Sequence, residues 1–172
     1  MSFRNKLEMA IVANPLWQDY IMKHFGSLAI NIKSLEDDMT IQRAHLGDML
    51  LYLDLDVKEW YVELKTMSEA NFHHHLNRKQ EIVFETMGIV ENNDTRSSFL
   101  ESRADIYAFG FLVSNQLVLP RLFWMKETQA WFYAHHWKYR DIERPNGDKH
   151  TRFKLVPVED IPDYCKIRPM IS

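Results

Sequence analysis

The stretch GDMLLYLDLDVKEWYVELKT, residues 47–66, predicts two adjacent β-strands at 48–53 and 60–66, joined by a polar turn. Side chains along a strand alternate between the two faces of a sheet. Each strand therefore has one wholly apolar face, formed by Met49, Leu51, Leu53 and Leu55 in the first and by Trp60, Val62 and Leu64 in the second. This pattern predicts a hairpin with one side buried in a core.

Burial of both apolar faces on one side of the sheet places Asp48, Glu63 and Lys65 together on the other side. A tight turn at 56–59 would separate the two acidic residues by about 13 Å along the strands, too far for one ion. A six-residue loop at 54–59 would set Asp48 opposite Lys65 and make Glu63 its diagonal neighbour, about 7–8 Å away. We expect the longer loop, or a bulge with the same effect.

Two carboxylates and one ammonium on one face are what metal-assisted phosphodiester cleavage requires. Asp48 and Glu63 would hold a hard cation such as Mg²⁺. The cation would polarise the phosphate and activate water, and Lys65 would stabilise the developing charge.

Gly47-Asp48 and Glu63-Leu64-Lys65 resemble the motif of the PD-(D/E)xK nuclease superfamily, which has the restriction-endonuclease-like fold. Glycine stands in the place of the family's proline. The surrounding order is also similar: a helical N-terminal part, then the hairpin, a helical stretch, and a strand with a polar start at 102–109. The resemblance covers roughly residues 12–125.

The resemblance implies an α/β fold, with a mixed central sheet flanked by helices and the site on a β-hairpin, in a single nuclease-like domain of residues 1–172. It implies a nuclease that depends on Mg²⁺, with Mn²⁺ as a substitute, and that acts on DNA rather than RNA. Asp48 and Glu63 would be metal ligands and Lys65 catalytic. Gln80 would be a polar residue facing the site from the following helix, and 36–38 could supply a further acid.

Local signals predict the remaining elements. Asn14 and Pro15 would begin a helix that ends at Gly26, and Ser68 would cap a helix that ends at Gly88. The other predicted elements are a strand at 39–44, strands at 105–113 and 116–125, a helix at 126–138, and a last strand at 152–158.

Composition restricts the class of protein. Hydrophobic residues make up 46% of the 172 residues, enough for a substantial core. The single cysteine, Cys165, excludes an internal disulfide and a cysteine-rich zinc site. The N-terminus shows no signal peptide, and no apolar run is long enough for a membrane span, so we expect a cytoplasmic protein without membrane contact.

A second class of function stays open. The net charge of −3 does not favour nucleic-acid binding, although basic residues cluster at 138–154, where a phosphate-tracking loop and an ordinary hairpin are both compatible with the sequence. The alternative is a non-enzymatic α/β binding or oligomeric protein, in which Asp48, Glu63 and Lys65 form a surface ion pair. The aromatic residues at 124–137 fit a homo-oligomer surface as well as a core. Convergence of the two carboxylates in a concave site would favour the nuclease.

Overall fold

The helices and strands come from a computed structural model, which describes residues 3–35, 47–54, 58–76, 80–90, 93–96, 98–146 and 149–170. The α-helices of this part are α1 (Phe3–Phe25), α2 (Glu69–Leu76), α3 (Ser98–Glu101) and α4 (Met125–His135). The strands are β1 (Ala29–Ser34), β2 (Met49–Leu53), β3 (Glu59–Ser68), β4 (Glu81–Val90), β5 (Asn93–Arg96), β6 (Ile106–Val113), β7 (Gln116–Trp124), β8 (Asp141–Asn146) and β9 (Lys149–Pro157).

The strands form two sheets. The first sheet has the order β1-β2-β3-β6-β7; β3 and β6 run parallel, and the other neighbours are antiparallel. The second sheet has the order β5-β4-β9-β8 and is antiparallel throughout. The predicted α/β class with a mixed sheet is therefore confirmed, and the sheet has five strands.

Helix α1 covers one face of the first sheet. Its buried residues Ala13, Trp17, Ile21 and Phe25 recur every four positions, so they form one stripe along the helix. The stripe packs against apolar side chains of β2, β3, β6 and β7. The indole Nε1 of Trp17 also donates a hydrogen bond of 2.8 Å to Thr66 Oγ1 of β3. The predicted apolar side of the hairpin is thus the side beneath α1.

The predicted start of this helix was wrong. Pro15 was expected at the first helical position, but α1 begins at Phe3 and contains Pro15 in its interior. Proline removes one backbone hydrogen bond from a helix. Ala13 is already buried against the sheet before the proline, so packing of the apolar stripe continues the helix across it. The predicted end at Gly26 is confirmed, with a positive φ of 56°.

The second sheet covers the other face of the first. Along β6, side chains alternate between the two cores: Ile106 and Ala108 pack on the α1 side, whereas Tyr107 and Phe109 pack towards the second sheet. The predicted helical flank is therefore observed on one face only. The other face is covered by β4 and β9, with buried aromatic residues from α3 and α4 at its side: Phe99, Trp131 and Phe132.

The second sheet includes a segment that we predicted as helix. The helix expected over 69–87 ends at Leu76, and residues 81–90 form β4, with Gly88 inside the strand. Ile82, Val83 and Phe84 are consecutive and all buried, which a strand between two layers permits. β-Branched and aromatic residues favour strands, and pairing with β9 completes the hydrogen bonding.

Several other predictions are confirmed. The strands near 105–113 and 116–125 form the β6–β7 hairpin, and Pro120 lies on β7 at the edge of the first sheet. The basic segment 138–154 contains the β8–β9 hairpin. The strand predicted at 39–44 lies outside the described residues.

The structure also describes the surroundings of the single cysteine and the length and apolar character of the helices. Cys165 carries a free thiol that is fully buried in the core between the sheets. Within the described ranges, none of the helices combines the length and the apolar character needed to cross a membrane.

Candidate functional site

The β2–β3 hairpin brings Asp48 beside Glu63. Met49 pairs with Val62 in the antiparallel ladder. The backbone N–H of Asp48 donates to the carbonyl of Val62 at 2.8 Å, and its carboxylate Oδ2 accepts a hydrogen bond from the N–H of Leu64 at 2.7 Å. Asp48 therefore contacts the β3 backbone on both sides of Glu63.

Neither of the two predicted registers is observed. The pairing of Met49 with Val62 is shifted by two residues from the register that would set Asp48 opposite Lys65. A shift of two residues keeps both apolar faces on the α1 side, because side chains alternate with a period of two. In the observed register Asp48 bonds to the backbone of Val62 and Leu64, the two neighbours of Glu63, rather than lying opposite Lys65.

Gly47 permits this approach. Its φ of 121° is one that other residues rarely adopt, and a Cβ atom on it would lie 2.7 Å from the carbonyl oxygen of Val62. Any other residue would have to push the chain away from β3. Gly47 thus has a physical role here, because it lets Asp48 reach the β3 backbone.

Glu63 is partly buried on β3 and lies on the side of the first sheet that faces the second. Burial, and after it the negative charge of Asp48, raises the pKa of Glu63 to about 7. Lys65 and a hydrogen bond of 3.4 Å from Ser102 Oγ to Glu63 Oε2 offset part of this shift. Asp48 and Glu63 therefore form a pair in which the second negative charge is unfavourable near neutral pH.

Lys65 lies two residues further along the same face and forms an ion pair with Glu85 of β4. About a quarter of each side chain is exposed, so the pair is partly shielded from water. Glu85 also raises the pKa of Glu63, which places it in the same electrostatic cluster. The sequence analysis missed Glu85 because it lay in the segment predicted as helix. The run of β-branched and aromatic residues before it was the signal for a strand.

Tyr107 lies on the same side of the first sheet and is paired in register with Glu63. It is buried, and its hydroxyl donates a 3.0 Å hydrogen bond to the carbonyl of Val83 on β4. Burial raises the pKa of Tyr107 well above its ordinary value, with Glu85 and Glu63 adding to the shift. Tyr107 is therefore a neutral group that joins the two sheets beside the carboxylates.

Gln80 does not have the predicted placement. It precedes β4 rather than lying on a helix, its side chain is exposed, and its Oε1 accepts a hydrogen bond from the guanidinium of Arg121. Its carbonyl accepts a 2.7 Å hydrogen bond from the N–H of Val158. The helix that was predicted to carry Gln80 ends at Leu76, so Gln80 does not lie on a helix that faces the site.

Asp105, which lies just before β6, joins strands at another point of the first sheet. Its carboxylate accepts hydrogen bonds from the N–H of Tyr61 at 3.0 Å and from Lys58 Nζ at 2.6 Å. Its backbone carbonyl accepts from the N–H of Met125 at the start of α4. These contacts give Asp105 a role in holding β3, β6 and α4 together.

The histidines at 73–75 lie on α2. Nε2 of His73 is 3.7 Å from Oε1 of Glu69 on the same helix. His45 and the acidic residues 36–38 lie outside the described residues.

The oxygen donors of the pair fit a hard cation. Among the residues that the structure describes, no group of three or more His, Cys, Asp or Glu side chains is arranged to hold a metal ion. Magnesium commonly takes one or two protein carboxylates and completes its shell with water and substrate phosphates. Burial and, after it, the negative charge of Asp48 raise the pKa of Glu63, and a divalent cation beside the pair would favour the ionised form of both carboxylates.

Comparisons of the chain with protein-family models, with curated proteins and with solved structures gave no match.

Proposed function

We propose that the protein is a divalent-metal-dependent nuclease that hydrolyses phosphodiester bonds, in DNA rather than RNA. The observation that carries this proposal is the position of Asp48, which contacts the β3 backbone on both sides of Glu63 while Lys65 projects from the same face. This is the constellation expected from the resemblance to the PD-(D/E)xK superfamily.

The order of elements supports the same proposal. Helix α1 precedes the hairpin, α2 follows β3 directly, and β6 then returns parallel to β3 with a polar segment before it. This is the context that accompanies the motif in the family. The second sheet departs from the expected helical flank, because β4 and β5 lie between α2 and β6 in the chain.

Each residue of the cluster has a separate role in this proposal. Asp48 and Glu63 would hold Mg²⁺, or Mn²⁺ in its place, and the ion would supply polarisation of the phosphate and an activated water. Lys65 places its ammonium against the phosphoryl oxygens, where negative charge develops. Glu85 orients Lys65 through their ion pair.

The proposal is tested by a cleavage assay on plasmid, linear and single-stranded DNA, with Mg²⁺, Mn²⁺ or EDTA. We expect cleavage only with the divalent ions, and its loss in Asp48→Asn, which deletes one carboxylate charge at nearly constant shape. Asp19→Asn is the matched control, since Asp19 lies on α1 and is bonded to Lys23. Cleavage of equal rate in wild type and Asp48→Asn would reject the assignment.

A second candidate is a non-enzymatic binding or oligomeric protein. The ion pair of Lys65 with Glu85 favours it, because this contact satisfies both charges without any ligand. Exposed aromatic side chains on and after α4 also favour it: Tyr133 and Trp137 are 52% and 72% exposed.

Metal-dependent stability separates the two candidates without any substrate. A cation that binds the folded state alone raises the melting temperature with the logarithm of its concentration. The nuclease proposal predicts such a rise with Mn²⁺, which binds most sites more tightly than Mg²⁺, and its loss in Asp48→Asn. The binding-protein candidate predicts equal shifts in both proteins, from salt screening alone.

A further inference from the structure

A cavity of about 210 Å³ opens between the two sheets beside Lys65. Half of its lining residues are apolar, among them Phe111 of β6 with Phe153 and Leu155 of β9. Polar groups stand among them, from Asn71 on α2 and from Arg144 on β8. The basic hairpin and the candidate catalytic lysine, distant in sequence, thus share one cavity.

The charges around the cavity indicate what kind of group it accepts. Lys65 and Arg144 supply two positive charges, and Glu81 and Glu85 supply two negative ones. A phosphate group enclosed within the cavity would need a positive excess, which this lining does not provide. A flat, neutral ring with hydrogen-bond donors and acceptors on its edge suits the lining better, because apolar walls would contact its faces and the polar side chains its edge.

The aromatic wall is suited to stacking. The guanidinium of Arg144 lies 5.7 Å from the ring centre of Phe153. Aromatic rings and guanidinium planes are the two kinds of surface on which proteins stack unpaired bases. The size of the cavity matches one ring system rather than a base pair.

We propose that this cavity receives one unpaired nucleobase, from the nucleotide whose phosphate lies at Lys65. This inference rests on the proposed nuclease function and narrows its substrate to single-stranded nucleic acid or to unpaired ends and flaps. A base stacked in a duplex has to leave the stack to enter a pocket, at a cost that an unpaired strand does not incur.

The test measures binding without cleavage, in a metal-free buffer. The probe is a short end-labelled oligothymidylate, either alone or annealed to its oligodeoxyadenylate complement, followed by fluorescence anisotropy. Leu155→Trp fills the cavity, and Arg144→Ala removes the guanidinium at its edge. Arg140→Ala is the matched control, because Arg140 is also exposed and lies just before β8, outside the cavity lining.

We expect wild type to bind the single strand at least about tenfold more tightly than the duplex, the size of one stacking contact. Leu155→Trp and Arg144→Ala should each lose most of that preference, and Arg140→Ala should keep it. If Leu155→Trp fails to show a cooperative melt, Arg144→Ala alone decides. Equal binding of both probes by wild type, or an unchanged preference in Arg144→Ala, would overturn the inference.

The outcome is independent of the nuclease assay. Metal-dependent cleavage of duplex that is unaffected by the cavity variants would keep the proposed function and reject the base pocket. Single-strand preference that depends on Arg144, without metal-dependent cleavage, would keep the pocket and reject the nuclease.

Discussion

The two faces of β3 differ in almost every physical respect. Towards α1, Val62 is fully buried in an apolar layer with Met49 and Leu51. Towards the second sheet, Glu63 and Lys65 are only partly buried and lie among other charged groups. One strand thus carries a side that stabilises the fold and a side that concentrates charge.

The difference between the two faces shows where a small protein can place carboxylates whose burial disfavours the ionised state. Partly buried carboxylates near each other destabilise the ionised state. The side chains described on the α1 face are mostly apolar, whereas on the other face Lys65 and Ser102 favour the ionised form of Glu63. The apolar face supplies the stability that lets the polar face depart from ordinary packing.

The largest effect is expected from placing a charge on the apolar face. Val62→Asp would put an unpaired carboxylate in a site with 0% exposure, and we expect it to lose about 3–5 kcal/mol or to prevent folding. Ile30→Asp on β1 is the matched control, because Ile30 is 62% exposed; its change should stay within about 0.5 kcal/mol. Similar denaturation midpoints for the two variants would mean that the faces are assigned incorrectly.

The second effect is on the polar face. If the proposed nuclease function holds, Lys65→Ala should reduce cleavage by about 10²–10³-fold, the usual cost of removing a group that stabilises transition-state charge. It also removes the ion pair with Glu85, so we expect a loss of about 1–3 kcal/mol in stability, too little to unfold a typical domain. Lys33→Ala on β1, an exposed lysine, should leave cleavage unchanged. A Lys65→Ala enzyme within a few-fold of wild type would exclude this lysine from catalysis.

The third effect is a dependence of stability on pH. The pKa of Glu63 is about 7 in the folded protein, and an unfolded glutamate titrates near about 4.3. Between these values the folded state holds a proton that the unfolded state has released. Stability contributed by Glu63 is therefore present below the unfolded pKa and is lost as pH rises through 7.

Melting temperatures measured from about pH 4 to pH 8 test whether stability falls as pH rises. Glu63→Gln is the reference, because glutamine does not titrate. Wild type should lose stability relative to Glu63→Gln as pH rises through the window. Saturating Mn²⁺ should reduce the difference at high pH, because a cation favours the ionised carboxylate. Parallel curves for the two proteins would show that the pKa of Glu63 is unshifted.

The smallest effect is expected at Gln80. Its side chain is exposed and bonded to Arg121, so Gln80→Ala should change cleavage by less than about twofold and stability by less than about 0.5 kcal/mol. Arg121→Ala should behave alike if the contact is the only role of the glutamine. A large loss of cleavage in Gln80→Ala would support the predicted catalytic role of Gln80. It would mean that the start of β4 moves when substrate binds.

Part of this arrangement followed from short-range pattern. Strand alternation was enough to place Asp48, Glu63 and Lys65 on one face and Val62 and Leu64 on the other. It was not enough to choose among registers that differ by two residues, because all of them bury the same faces. Close approach at Gly47 and the hydrogen bond from Leu64 to Asp48 accompany the observed register, and both depend on contacts between strands.

The prediction failed where local signals allowed two structures. Ser68 and Gly88 are good helix boundaries, but Ile82, Val83 and Phe84 are buried in a strand that pairs with β9, far away in sequence. Pro15 is a good first helical residue, yet α1 continues through it because its apolar stripe already lies on the sheet. In both cases burial against distant elements outweighed local propensity.

The sequence by itself determined the α/β class, the two faces of the hairpin and the three charged residues that share one of them, because alternation along a strand is a local property. Tertiary structure alone decided the neighbours of those charges. The ion pair of Lys65 with Glu85 and the cavity beside it form only because the second sheet packs on the first. The pKa of Glu63 is likewise set by burial and by charges from other strands, and these depend on how the chain packs in space.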